Sequence, residues 1–325
     1  MRVRTIRREE RERVLDLLDE WISRDFFRRY FDHDPAFRDD LCIVAEDEGR
    51  FVSTLQIMPK TILVDGKKLR LGGVGNVFTT PEYRQKGVAS EVLRHAISLM
   101  ERDGFDLSML FASRLGFYGQ FGWVSVRRLL GAVAPSPEPP SGLASGTSLI
   151  RPFDAARDLD AVMDVYRQYS HPRSGVVLRD GAYWRGQLLY AGSPGETFLV
   201  AERRGSVVAY SRFVDLYGIY TVMEHGAAAG SEDALADLLC ALGGRVSDRG
   251  FFLIHLGADS ALAERLATRG LSTSEVEDVF WMWRVVSPEP LASKLGLTTA
   301  DVEQPDFFDR LLPLRSSVYW TSDRF

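Results

Sequence analysis

Two apolar periods alternate along this chain. From Ile6, IRREERERVLDLLDEW closes a short strand at Ile-Arg and then spaces Val14, Leu15, Leu17, Leu18 and Trp21 along one helical face. IVAEDEGRFV, from Ile43 to Val52, runs apolar, turns at Gly49 and resumes, which is a hairpin pattern. DGFDLSMLFAS, from Asp103 to Ser113, reads as a helix end followed by a buried strand. Each stretch has a counterpart in the same order: IRPFDAARDLDAVMDVY from Ile150, LVAERRGSVV from Leu199 to Val208, and RGFFLIHLGAD from Arg249 to Asp259. Such ordered parallels describe two copies of one unit. The expected fold class is α/β of the α+β type: two tandem units, each a mixed, mainly antiparallel sheet flanked by helices.

Within the first unit, VDGKKL predicts a hairpin turn at Asp65-Gly66. Strand 74–79, helix 88–103, strand 106–112, a helical turn at 115–121 and strand 123–133 follow. APSPEPPSGLASGTS, residues 134–148, is too rich in Pro, Ser and Gly to hold a regular element and reads as a linker. The expected domains are therefore 1–133 and 149–286, the last strand of the second containing EVEDVFWMWRVV. The tail, 287–325, shows no sheet pattern, although DFFDRLLP suits a short helix.

Composition narrows the class. Apolar residues make up 45% of the chain and charged ones 26%, enough to bury a real core. A net charge of -5 argues against a nucleic-acid partner. No apolar run approaches the roughly 20 residues of a membrane span, and MRVRTIRREERERV lacks a signal-peptide core, so the expected location is cytoplasmic, with no membrane partner. Cys42 and Cys240 lie far apart in apolar segments, and His33, His95, His171, His225 and His255 show no ligand spacing, so no metal is expected.

The chemistry concentrates at one corner. After the apolar run GGVGNVF, TTPEYRQKGVAS stops the strand at Pro81, sets out Arg84, Lys86 and Gly87, and restarts as a helix. A helix N-terminus offers unpaired N–H groups and a positive dipole end, which suit phosphate. Gly87 and Ala89 keep the approach free of bulk, and Arg84 and Lys86 add charge. The amides of Gln85, Lys86, Gly87, Val88, Ala89 and Ser90 would form a pyrophosphate cradle, although G-K-[ST] and G-x-G-x-x-G are both missing. The plainer reading is a basic turn before a surface helix.

VFTTPEYRQKGVASEVLRHAI resembles the acetyl-coenzyme A binding motif of the GNAT superfamily of N-acetyltransferases, a strand leading into [Q/R]-x-x-G-x-[G/A] and a helix. Arg84, Gly87 and Ala89 match its fixed positions. With LFASRLGFYGQFGW after the next strand, the tandem order is similar to the enhanced-intracellular-survival branch, without the sterol-carrier-like domain that ends it. The resemblance implies an enzyme with acetyl-CoA as co-substrate and a primary amine of a small molecule or peptide as acceptor. It implies that Val77, Phe78 and Thr79 hold the pantetheine arm through their backbone. It also implies that Tyr118 is the acid that protonates the leaving thiolate, a phenol near ~10 facing a thiol near ~8.5. Packing among Phe117, Phe121 and Trp123 is the alternative for Tyr118.

No Glu stands on strand 74–79 to act as base. By resemblance the carboxylate of Phe325, or Asp323 beside it, would take the amine proton, with Tyr319 and Trp320 anchoring the tail. WISRDFFRRYFDHDPAFRDD sets Trp21, Phe26, Phe27 and Phe31 among Asp25, Asp32, Asp34 and Asp39, which suits a cationic amine, with Trp21, Asp25 and Phe26 as candidate contacts. In the second copy, YTVMEHGAAAGSEDALADLL lacks the arginine and begins its helix with Glu232 and Asp233, while Glu264 stands opposite Tyr118. That copy is expected to be structural. The alternative function is a non-catalytic acyl-CoA-binding or regulatory module.

Overall fold

The computed structural model describes residues 1–136, 148–190, 195–216, 218–245, 250–256, 259 and 261–324. Its strands are β1 (Arg2–Thr5), β2 (Cys42–Asp47), β3 (Arg50–Val64), β4 (Lys67–Thr79), β5 (Leu107–Phe111), β6 (Val124–Ser125), β7 (Arg128–Pro135), β8 (Leu149–Pro152), β9 (Val176–Val177), β10 (Thr197–Arg203), β11 (Ser206–Leu216), β12 (Ile219–Ala227), β13 (Phe252–His255), β14 (Leu271–Asp278) and β15 (Trp281–Val285). The helices are α1 (Arg11–Asp19), α2 (Arg24–His33), α3 (Val88–Arg102), α4 (Leu115–Gly119), α5 (Ala155–Ser170), α6 (Gly181–Tyr190), α7 (Glu232–Arg245), α8 (Leu262–Ala267), α9 (Pro288–Leu295), α10 (Thr299–Val302) and α11 (Phe307–Leu311). The first sheet runs β1-β2-β3-β4-β5-β15-β6, with β9 also on β3, and the second β14-β7-β13-β12-β11-β10-β8.

The internal repeat is visible in the turns. Glu48-Gly49, Asp65-Gly66 and Arg204-Gly205 all place two successive residues at positive φ, the geometry that lets a two-residue hairpin follow the twist of its strands. In each copy one strand pair is parallel, β4 with β5 and β12 with β13, and the other pairings are antiparallel.

The two copies are not separate along the chain. The expected strand 123–133 breaks into β6 and β7, and EVEDVFWMWRVV breaks into β14 and β15. β15 enters the first sheet between β5 and β6, while β7 enters the second between β13 and β14. A boundary at residue 133 would cut β7, which belongs to the second sheet, and β15 precedes residue 286 yet belongs to the first. Alternation marks a strand but not its neighbour, so this exchange leaves no trace in the pattern. At the crossing Arg128 donates to Asp278 at 2.8 Å. Of the expected linker, Ala134 and Pro135 end β7, and residues 137–147 lie outside the described residues.

α3 lays Val88, Val92, Leu93, Ala96, Leu99 and Met100 on one face of the first sheet. Burying each large apolar side chain contributes about 1.5–3 kcal/mol. α1 and α2 cover part of the opposite face through Val14, Leu18, Phe27 and Phe31, which meet Phe78. The tail is folded: α9 to α11 pack on that face too, with Lys294 held at 2.8 Å from Asp106. DFFDRLLP contains α11.

α2 and α6 join the copies, Tyr30 lying 4.9 Å from Tyr190 between ring centres. A Cβ on Gly186 of α6 would collide with the His33 carbonyl oxygen and come within 3.0 Å of Pro35. Gly186→Ala is therefore expected to destabilise by about 1–3 kcal/mol. The measurement is a lower urea midpoint at an unchanged m-value; an unchanged midpoint would mean the helices do not pack this closely.

Candidate active site

The site begins where two parallel strands part. β4 pairs with β5 only at Leu71, Gly72 and Gly73, opposite Leu107, Ser108 and Met109. Beyond Gly73, β4 continues alone on that side through Val77, Phe78 and Thr79. A bulge helps turn it: the register with β3 slips between Thr54 and Gln56, and Asn76 sits at φ 53. The free end is pinned from its other side, Ser53 donating to the Phe78 carbonyl at 2.8 Å and Thr80 N–H to Val52 at 3.0 Å. The result is a wedge with a free backbone edge along one wall.

Past Thr80 a single turn, Pro81–Tyr83, leads to the corner. Gln85 and Gly87 both take left-handed backbone, at φ 61 and 81. α3 then starts at Val88 with no side chain capping it. The Glu91 N–H bonds the Gly87 carbonyl at 3.1 Å, so the amides of Gln85 to Ser90 have no protein acceptor among the described residues. A Cβ on Gly87 would meet nothing within 4 Å, so the space beside these amides is open. Lys86 lies over the Tyr83 ring at 5.4 Å, and Tyr83 is fixed by its hydroxyl to Asp47 at 2.8 Å. Arg84 turns back, donating through Nε to the Thr79 carbonyl at 3.0 Å. It therefore braces the wedge as well as adding charge.

Tyr118 stands in α4, the short helix that follows β5. Its ring meets Phe117 edge-on at 5.1 Å and Trp123 at 6.4 Å. Burial pushes the phenol above its ordinary value, against a smaller opposing pull from Arg114. Its hydroxyl has no hydrogen-bond partner among the described residues. The residue packs in an aromatic cluster, and its hydroxyl is left without a protein partner among the described residues.

The α2 side of the opening is aromatic. Trp21, 49% exposed, stacks on Phe78 at 6.0 Å and on Phe27 at 5.7 Å, which places it at the lip of the wedge. Phe26 is turned edge-on to Phe27 at 5.2 Å. Asp25 is exposed and forms no ion pair among the described residues. Asp32 is likewise exposed, whereas Asp34 is buried with Lys60 at 3.5 Å and Asp39 is held by Arg11 at 2.5 Å. Phe111 and Phe280, 39% and 43% exposed, meet edge-on at the end of β5. Sequence reading missed both, because exposure is the signal that marks them.

The tail reaches this region. Arg324 lies over the Phe111 ring at 4.3 Å. Phe325 lies outside the described residues. Asp323, the other candidate base, is 1% exposed and accepts hydrogen bonds from Arg179, Tyr183 and Gln187, so it is not free to reach an amine. The second copy has acids in the first turn of α7, Glu232 and Asp233, and Glu264 in α8.

Residues 2–126 match the acetyltransferase (GNAT) domain model. Over 155 residues, 46% of this chain, it is 30% identical to an uncharacterized N-acetyltransferase of Streptomyces coelicolor, and it spans 38% of that relative's length. The fold is similar to that of a conserved protein of Enterococcus faecalis described as a probable N-acyltransferase, with a TM-score of 0.69, 19% identity, and 90% of this chain and 74% of that one covered. It is also similar to that of Eis1 from Mycobacterium abscessus, with a TM-score of 0.59, 17% identity, and 90% and 76% covered.

The raised phenol can be checked directly. In an ultraviolet titration, the tyrosine signal absent from Tyr118→Phe is expected to ionise above pH 10, the ordinary value. Ionisation at or below that value would show that the side chain is wet.

Proposed function

We propose that the protein is an acetyl-CoA-dependent N-acetyltransferase acting on a primary amine of a small molecule or peptide by direct attack. The observation that carries this is six uncommitted amides at the start of α3, together with one uncommitted phenol in the helix that follows β5. The amides of Gln85 to Ser90, with Lys86, would hold the pyrophosphate, for which their open approach and lack of a cap are suited. The backbone of Val77, Phe78 and Thr79 would hold the pantetheine arm and aim an N–H at the thioester oxygen.

Direct attack forms the amine nitrogen to carbonyl carbon bond and breaks the carbon–sulfur bond; the nitrogen's surplus proton passes to water, and water returns a proton to Tyr118 after the one it gives to sulfur. An N–H aimed at the oxygen stabilises the charge that develops there, by a few kcal/mol for one well-placed donor, ~3 in order of magnitude. Tyr118 gives its proton to the departing thiolate. Because burial raises its pKa, the phenol stays protonated where the amine is already neutral, so donor and nucleophile coexist. Trp21 and Phe26 would wall the acceptor and Asp25 would attract a cationic amine.

Acetyl-CoA at about 100 times its dissociation constant should stabilise the protein by roughly 2.7 kcal/mol and raise its melting temperature. Thiol release is followed with spermidine, glucosamine and a lysine peptide. Tyr118→Phe is expected to lower kcat about 100-fold without weakening acetyl-CoA binding. Unchanged turnover in that variant would rule out its role as acid, and binding without turnover in the native protein would favour a non-catalytic acyl-CoA module. As pH rises, kcat should hold to 10 and fall only beyond it, because the acid form persists up to the raised pKa. Gly87→Asp tolerates left-handed backbone better than most residues but places a carboxylate at the amides. It should weaken acetyl-CoA at least about tenfold by calorimetry, one charge against the anion site; unchanged affinity would move the pyrophosphate elsewhere.

A further inference from the structure

The second copy also contains parallel strands that part. β12 and β13 are in register only at Thr221 opposite Leu253, after which β12 continues through Glu224 and His225. Here the opening is filled by the chain's own tail. The buried Trp320 ring lies 4.9 Å from His225 on β12 and 5.7 Å from His255 on β13, and its Nε1 donates to Ser170 Oγ at 3.1 Å. The Ser322 hydroxyl bonds Glu224.

Charge fastens this segment. Asp323 accepts from Arg179 at 2.9 and 2.8 Å, from the Tyr183 hydroxyl at 2.9 Å and from Gln187 at 3.1 Å. Arg179 continues to Glu224 at 2.7 and 3.2 Å and lies over the rings of Tyr166 and Trp184. Behind it, Arg212 donates to Gln187 at 2.5 Å and pairs with Glu196. Arg179, Glu224 and Arg212 have fully buried side chains. Arg179 follows β9, which pairs with β3 of the first sheet, Val177 opposite Ile62. The cluster thus ties together the first sheet's edge, the parted strand of the second copy and the tail. One residue beyond it, Arg324 meets Phe111 at the end of β5.

Buried ion clusters of this kind add little net stability over well-packed apolar groups, and what they can contribute is a unique geometry. None of these residues belongs to the wedge of the first copy. We propose that the second copy has turned its parted strands into a clamp for the tail, and that Arg179 is a positioning residue which, through Asp323, sets Arg324 against Phe111 as one wall of the acyl-transfer cleft. This rests on reading the first copy's wedge as that cleft. It also gives the second copy a task, holding a piece of chain where the first copy takes a cofactor arm.

Hydrogen exchange by mass spectrometry on the whole chain tests it. In Asp323→Asn, which keeps the shape and removes the charge, amides of residues 319–324 should exchange at least about tenfold faster, while those of α3 and the melting shift with acetyl-CoA stay as in the native protein. Thiol release with spermidine should show a lower kcat/KM for the amine at an unchanged KM for acetyl-CoA. Tyr183→Phe removes one bond to Asp323 and leaves its charge. It should give a smaller change of the same sign, and it decides the matter if Asp323→Asn does not fold. Native exchange at 319–324 in a folded Asp323→Asn would overturn the clamp. Faster exchange with unaltered amine kinetics would overturn the positioning role and leave the cleft standing. A native protein that neither shifts with acetyl-CoA nor releases thiol would remove the cleft, and the positioning role with it, while exchange would still decide whether the clamp exists.

Discussion

Two parallel strands that part leave a row of backbone groups with no neighbour on one side, and much of this molecule answers that constraint. Backbone N–H and C=O groups removed from water need partners. In the second copy the tail supplies the filling, with Trp320 reaching from His225 on one strand to His255 on the other. In the first copy β4 runs on past β5 with that edge open, next to a helix start whose amides are also uncommitted. One copy has closed its wedge with protein, and the other keeps it open beside a helix start with uncommitted amides.

The exchange of strands makes this division possible. Because β15 stands between β5 and β6, and β7 between β13 and β14, neither sheet is complete without chain from the other half. β9 adds a further thread from the second half to β3. The position of the tail is thereby referred to the first sheet by short covalent and hydrogen-bonded routes. Arg179 lies two residues beyond β9 and binds Asp323, one residue before Arg324.

The site combines two electrostatic environments within one cleft. At the corner, left-handed Gln85 and Gly87 aim amides outward among exposed cations, a setting that lowers the free energy of an anion. Around Tyr118, aromatic packing excludes water and favours the neutral phenol. An anion and a neutral phenol favour opposite surroundings, and the corner and the aromatic cluster supply one each. Of the acids along and after α2, Asp34 is consumed by Lys60 and Asp39 by Arg11, which leaves Asp25 and Asp32 facing solvent.

Local patterns were legible because their causes are local. The two-residue turns at Gly49, Gly66 and Gly205 follow from residues that accept positive φ, and the apolar face of α3 follows from helical spacing. The corner from Arg84 to Ser90 was readable for the same reason, since a Gly before an apolar helix announces an approachable N-terminus. The open edge of β4, the exposure of Phe111 and Phe280 and the locking of Asp323 were not readable. Each depends on which distant segment lies alongside, and period-two alternation is the same whichever neighbour a strand takes. Repeat, hairpins, helices and the turn that opens α3 were thus determined by the sequence itself. Strand exchange, the filled second wedge and the place of the tail were decided only by tertiary structure, because pairing and burial are settled between residues far apart along the chain.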